Sequence, residues 1–270
     1  MKLVKTLVAG AVLFSSTSAM AQYITVDGVS WETDVIGGIG DYHDEDWDSS
    51  GPFRQWFSSV NTMGTSINQL STITAPGAVG SFLTGVGEVD SVQSDSDFCN
   101  NCELTYAFGG IEVLSLDINT GDYSLDIDNA WMNFYVTDLS TNFKASTIAN
   151  QADVDAAYGS DLADTWLSLS IASASLSLTL NTTTNQFDLE GSMLTSGRAI
   201  GGSAYHNFNT DHFGLGIDAT ANGISNSGFN PLSGMAKGTL ITTADTVPVP
   251  APLALLGLGL VALGLRARKA

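Results

Sequence analysis

Basic residues are scarce in this chain: nine Lys and Arg stand against 28 Asp and Glu, a formal charge of −19 over 270 residues. A surface of that sign repels phosphate backbones and anionic headgroups, so nucleic acid is excluded as a partner. Divalent cations, or a saline medium that screens self-repulsion, suit it better. Cysteine is nearly absent. Cys99 and Cys102 are the whole complement, too few for a disulfide framework, and no nearby Cys or His pair completes a four-ligand zinc site. Histidine is limited to three residues. The signatures of common chemistries are missing as well: no Gly-x-Ser-x-Gly elbow, His-Glu-x-x-His helix, phosphate loop or dinucleotide fingerprint occurs. Paired carboxylates for glycoside hydrolysis are the one catalytic arrangement that so acidic a composition leaves open. No repeat of fixed period points to a solenoid or propeller.

What is present is concentrated at the two ends. Met1 to Ala21 has a positive start at Lys2 and Lys5, an apolar run from Leu7 to Phe14, and a small-x-small site at Ala19-Met20-Ala21. This is a signal peptide, with the mature chain beginning at Gln22. At the other end, Ala251 to Leu265 carries no charge, and the uncharged stretch reaches back to Val247. As a helix those nineteen residues would measure about 28 Å, enough to span a bilayer core. Arg266, Arg268 and Lys269 follow, and by the positive-inside rule hold the C-terminus in the cytoplasm with the body on the far side. The chain divides accordingly into a signal peptide (1–21), an exported β-rich domain (22–240), a linker with sorting motif (241–250) and a transmembrane helix with a basic end (251–270).

The order of prolines, Leu/Gly-rich run and basic cluster resembles the PEP-CTERM sorting tails of Gram-negative bacteria. Val247-Pro248-Val249-Pro250 stands where the usual motif is Val-Pro-Glu-Pro, as in the related VPxPA-type tails. The resemblance covers less than a tenth of the chain. It implies an exosortase-type processing enzyme as partner and export across the inner membrane. Transient anchoring by the C-terminal helix and final placement at the cell surface or outside follow, in association with exopolysaccharide and biofilm.

Without its ends the body keeps Arg54, Lys144, Arg198 and Lys237 against all 28 acids, a formal charge of −24. Its pattern is β. Tyr23 to Val26 and Val29 to Trp31 flank Asp27-Gly28 as a hairpin. Phe82 to Val89, Leu104 to Phe108, Trp131 to Val136 and Gln186 to Leu194 read as strands. Ile111 to Ile118 pairs with Tyr123 to Ile127, and its apolar phase changes between Val113 and Leu114, the mark of a bulge. Thr165 to Leu180 is the longest strand; its apolar parity switches at Ile171 to Ser173, so a bulge or bend is predicted there. Gly51-Pro52 opens a predicted helix carrying Phe53, Trp56, Phe57, Val60, Ile67 and Leu70, and Ser146 to Tyr158 a second one of about two turns. The fold expected is an antiparallel, jelly-roll-like β-sandwich with one or two short helices, plus the C-terminal transmembrane helix.

Three groups of residues are candidates for chemistry. Asp44, Asp46 and Asp48 alternate like the first half of a calcium loop, although Ser49 and Gln55 occupy positions where such a loop has Gly and Glu. A solvated acidic loop accounts for them better. Cys99 and Cys102 fit a local disulfide of an exported protein; a redox pair would need a following helix, and Glu103 to Phe108 reads as strand. His206, Asp211 and His212 could meet only if Asn207 to Thr210 turns. The expectation is a non-enzymatic surface or matrix protein without cofactor, calcium aside. A calcium-dependent adhesive or carbohydrate-binding module and a secreted glycan-active hydrolase are the alternatives.

Overall fold

The computed structural model describes residues 22–33, 47–61, 73–74, 78–117, 119–138, 143–158, 165–181, 186–210, 217–227, 235–244 and 246. Among them are β1 (Gln22–Val26), β2 (Val29–Thr33), β3 (Trp47–Ser58), β4 (Phe82–Glu88), β5 (Ser91–Val92) and β6 (Cys102–Leu116). Then follow β7 (Tyr123–Asp126), β8 (Trp131–Asp138), β9 (Thr165–Asn181), β10 (Gln186–Gly201), β11 (Ala219–Ser227) and β12 (Met235–Ala244). The helices are short: α1 is Gln151–Asp155 and α2 is Tyr205–Phe208.

β3, β4, β6, β8, β9, β10, β11 and β12 pair antiparallel in succession, and β12 pairs with β3 from Met235↔Trp56 to Ala244↔Trp47. That last ladder closes the sheet into an eight-stranded meander barrel and overturns the expected jelly-roll-like sandwich. A sandwich leaves strand edges to be protected; closure removes them. Among the described residues no helix is long and apolar enough to cross a membrane, and the expected transmembrane segment, 251–270, lies outside them. β12 runs to Ala244, so the first part of the expected linker belongs to the barrel wall.

An eight-stranded barrel has room inside for side chains and little else. Cross-strand partners share a face, and the register sets Phe53 beside Gly87, Gly87 beside Tyr106, and Tyr106 beside Phe134. These residues, with Phe108, Met132, Leu167 and Leu169, are buried and fill the interior. The rings of Tyr106 and Phe108 lie across β4 where it has no side chains: a Cβ on Gly87 would sit 2.2 Å from Tyr106 Cζ, and one on Gly85 2.4 Å from Phe108 Cζ. This interior is apolar, whereas β9 and β10 turn Ser173, Ser175 and Ser196 outward.

Both predicted phase changes are bulges. Leu114 is unpaired between Val113↔Leu125 and Ser115↔Ser124. Ala172 is unpaired between Ile171↔Gly197 and Ser173↔Ser196, which turns Ile171 inward on one side and Leu176 on the other. The bend curves one strand around the barrel rather than carrying it between two sheets. The first part of the predicted helix, from Pro52 to Ser58, is instead β3, and its continuation over 62–70 lies outside the described residues. Pro52 falls where β3 changes neighbour, from β5 at Ser49 and Ser50 to β4 at Phe53, so the missing N–H interrupts the ladder least. The second predicted helix is present as 3-10 turns at Ala145–Thr147 and Ala156–Tyr158 around α1.

Candidate functional site

One end of the barrel gathers most of the unusual side chains. The β1–β2 hairpin turns at Asp27 and Gly28, both at positive φ (51° and 90°), as a two-residue turn requires. It drives Trp31 into the mouth of the barrel. There Trp31 meets Trp47, Trp166 and Phe208 at ring-centroid distances of 5.5, 5.9 and 5.6 Å. Every indole N–H in the group has an acceptor, as buried indoles require. Trp31 Nε1 donates to Thr246 Oγ1 at 3.2 Å, Trp47 Nε1 to Thr242 Oγ1 at 3.4 Å, and Trp166 Nε1 to the Val26 carbonyl at 3.1 Å. Thr246 is itself buried. The first hairpin of the body and the residue before the Val247 motif are therefore joined through one hydrogen bond.

The loop between β5 and β6 clamps this hairpin from outside. Ser30 N donates to the Phe98 carbonyl at 2.7 Å and Asn100 N to that of Gly28 at 3.1 Å. Gln93 and Glu32 exchange two further bonds. Cys99 and Cys102 are paired as a disulfide with Cα atoms 5.2 Å apart, packed over Gly28, where a Cβ would lie 3.1 Å from Cys102 Sγ. A loop this short gives the bond about 2 kcal/mol in the chain-entropy model. Reduction with dithiothreitol is therefore expected to lower Tm by about 4–8 °C. An unchanged Tm would show that the clamp holds without the bond.

A second feature lies on the outer wall of β3, β4, β6 and β8, which the chain covers with residues 143–158. Glu103 Oε2 accepts from Phe143 N at 3.0 Å, and Glu88 Oε1 from Ala145 N at 3.2 Å. Arg54 donates to the carbonyls of Ala145 (3.1 Å) and Ser146 (2.6 Å), and Thr105 Oγ1 to that of Ala157. Burial raises the pKa of Glu88, against the opposing pull of Lys144 at 3.4 Å. A carboxyl that ionises less readily in the folded state binds the extra proton there. Its stabilising share is thus complete below the unfolded value of 4.5 and is lost as pH rises through the folded value. Glu88→Gln keeps the acceptor for Ala145 N and cannot ionise. The stability of the wild type relative to E88Q should therefore fall as pH rises from 4.5, then level off. Paired urea melts from pH 4 to 8 measure this directly; a flat difference would refute it.

The sequence candidates are dispersed. Asp48 is exposed on β3, opposite Thr243 in the closing ladder, and its carbonyl accepts from Gln93 N. Asp44 and Asp46 lie outside the described residues. No group of three His, Cys, Asp or Glu that could hold a metal occurs among the described residues. His206 is exposed on α2, beside the ring of Tyr205 at 5.2 Å, while Asp211 and His212 lie outside the described residues. The segment after His206 does turn, but what it delivers is Phe208, to the Trp cluster. Asp218 belongs to no sequence motif. It is buried and accepts from Ala199 N, Thr210 N and Thr210 Oγ1 at 2.7, 2.8 and 2.6 Å. It ties the 209–210 segment to the barrel wall. The sorting motif, Val247 to Pro250, and Arg266, Arg268 and Lys269 also lie outside the described residues.

Inside the barrel a void of about 20 Å³ is lined by Met132, Phe134, Leu169, Ile171, Ala221 and their neighbours. That is room for about one water and for no organic ligand. No family model, curated protein or solved structure matches this chain.

Proposed function

We propose that this chain is an exported, non-enzymatic surface or matrix protein: a rigid acidic barrel delivered by a sorting tail. The observation that carries the reading is the tail itself, Val247-Pro248-Val249-Pro250 followed by fifteen uncharged residues from Ala251 and by Arg266, Arg268 and Lys269. The filled barrel supports it. With an interior void of about 20 Å³, apolar in its lining, the body offers its outer surface to partners rather than a chamber. The seating of Thr246 against Trp31 adds a mechanical consequence. A processing enzyme of the exosortase type meets its motif directly beside a closed barrel end. The cut protein then leaves with its cap complete. Exopolysaccharide is the proposed surrounding, in which a body of −24 stays dispersed by its own repulsion.

Intact mass of the protein from its native host, together with the fraction that yields it, tests this. The expected result is a chain starting at Gln22, shortened after Thr246 and recovered outside the inner membrane. A full-length C-terminus retained in the inner membrane would overturn the sorting reading.

A further inference from the structure

The two walls of the barrel are treated differently. The wall of β3, β4, β6 and β8 is covered by the chain's own residues 143–158, whereas on the wall of β9 to β12 the described outward side chains are exposed or half-buried. On that wall the outward positions from Ser173 to Ser177, Ser192 to Ser196, Thr220 to Ile224 and Thr239 to Thr243 carry no charge. In a body with 28 acids this is a conspicuous neutral field. Its centre is aliphatic. Leu194 and Ile241 flank Asn222 in one row across three strands, and Ile224 stands two residues further along the middle strand. All three are exposed, at 55, 40 and 51%. Around them the hydroxyls pair with one another: Ser173 with Ser196 at 2.6 Å, Ser177 with Ser192 at 3.2 Å and Thr220 with Thr243 at 2.8 Å. An apolar centre inside a rim of already satisfied polar groups is the anatomy of a protein contact.

We infer that this wall binds a second copy of the same chain, face to face about a two-fold axis. The charge distribution selects that occupant. Two bodies of −24 repel each other wherever carboxylates meet, and this neutral wall keeps its acids to the borders, at Asp48 opposite Thr243 and Asp122 opposite Ser177. An isologous contact needs a self-complementary patch, which a neutral one is. A carbohydrate site would instead offer unpaired polar groups, and here six of the outward hydroxyls are paired with one another. Twelve outward positions, each covering about 4.8 by 6.8 Å, give a face of roughly 400 Å². That is about half the area per partner of a stable complex, so the association is weak and answers to local concentration. Salt should strengthen it, because screening removes the long-range repulsion and leaves the apolar centre untouched.

Sedimentation equilibrium of the full-length chain in density-matched detergent, at low and high salt, tests the inference. The expected result is a reversible dimer at roughly 0.1–1 mM, favoured by salt. Ile224→Glu should weaken it at least tenfold. Val79→Glu, at a 72% exposed position away from this wall, should leave it unchanged. Association through the apolar tail would be the same in all three chains. Equal association of wild type and I224E would therefore overturn the inference, as would a monomer throughout. A monomeric wild type retained on a neutral polysaccharide column, with I224E not retained, would assign the wall to glycan and overturn it too.

Discussion

Trp31→Ala is expected to lower the stability of the barrel by about 3–5 kcal/mol, the range for removing a fully buried large aromatic. Trp31 is 1% exposed and touches Trp47, Trp166 and Phe208 at once. No neighbour can collapse into its place without leaving another of the three. The substitution also removes the hydrogen bond from Trp31 Nε1 to Thr246 Oγ1, worth about 1 kcal/mol. Together these effects predict a Tm lower by roughly 10–15 °C. Trp31→Phe should recover part of the loss through ring contacts but not the hydrogen bond. The same variant reports on the tail: with the cap unseated, limited proteolysis should nick the chain near Thr246 sooner than in the wild type. A Tm within two or three degrees of wild type would mean that the hairpin is not a structural plug at all.

Local features of this fold are legible in the sequence, and its closure is not. Asp27-Gly28 announces a hairpin because few residues accept positive φ in succession. The parity switches at Leu114 and Ala172 announce bulges because a strand cannot otherwise keep one face inward. Yet a bulged strand reads the same whether it bends round a barrel or crosses between sheets. What decides is the pairing of 235–244 with 47–56, a contact across most of the chain with no local signal. Pro52, with Phe53, Trp56 and Phe57 behind it, mimics a helix start. Its true place is the point where β3 exchanges one neighbour for another, which is a tertiary fact. The aromatic plug was hidden for the same reason. Trp31, Trp47, Trp166 and Phe208 are far apart in sequence and share no motif. Asp48 sits on β3 opposite Thr243, a pairing that its acidic neighbours in sequence do not announce.

Gly51→Ala should cost about 3 kcal/mol, although it adds one methyl group. Such a change at an unstrained position ordinarily stabilises a protein slightly, by restricting the unfolded chain. Here the added Cβ would lie 1.8 Å from the Glu88 carbonyl oxygen, 2.8 Å from its carbon and 3.0 Å from Asp90 N. These are backbone atoms, so no side-chain rotation relieves the overlap. The 88–90 segment must move. It is fixed on both sides, by Asp90 N donating to the Ser50 carbonyl and Val89 N to that of Leu104, each at 2.8 Å. Moving it parts β3 from its neighbour and shifts Glu88, which holds the outer covering through Ala145 N. Gly80 is the control. Its φ is +78°, and a Cβ added there would meet nothing within 4 Å. Gly80→Ala therefore tests backbone strain alone, about 1–2 kcal/mol. Urea midpoints of the two variants separate crowding from conformation. If G51A is no worse than G80A, the close passage of the 88–90 segment over β3 is wrong, and with it the reason that a proline can sit in the middle of a barrel strand.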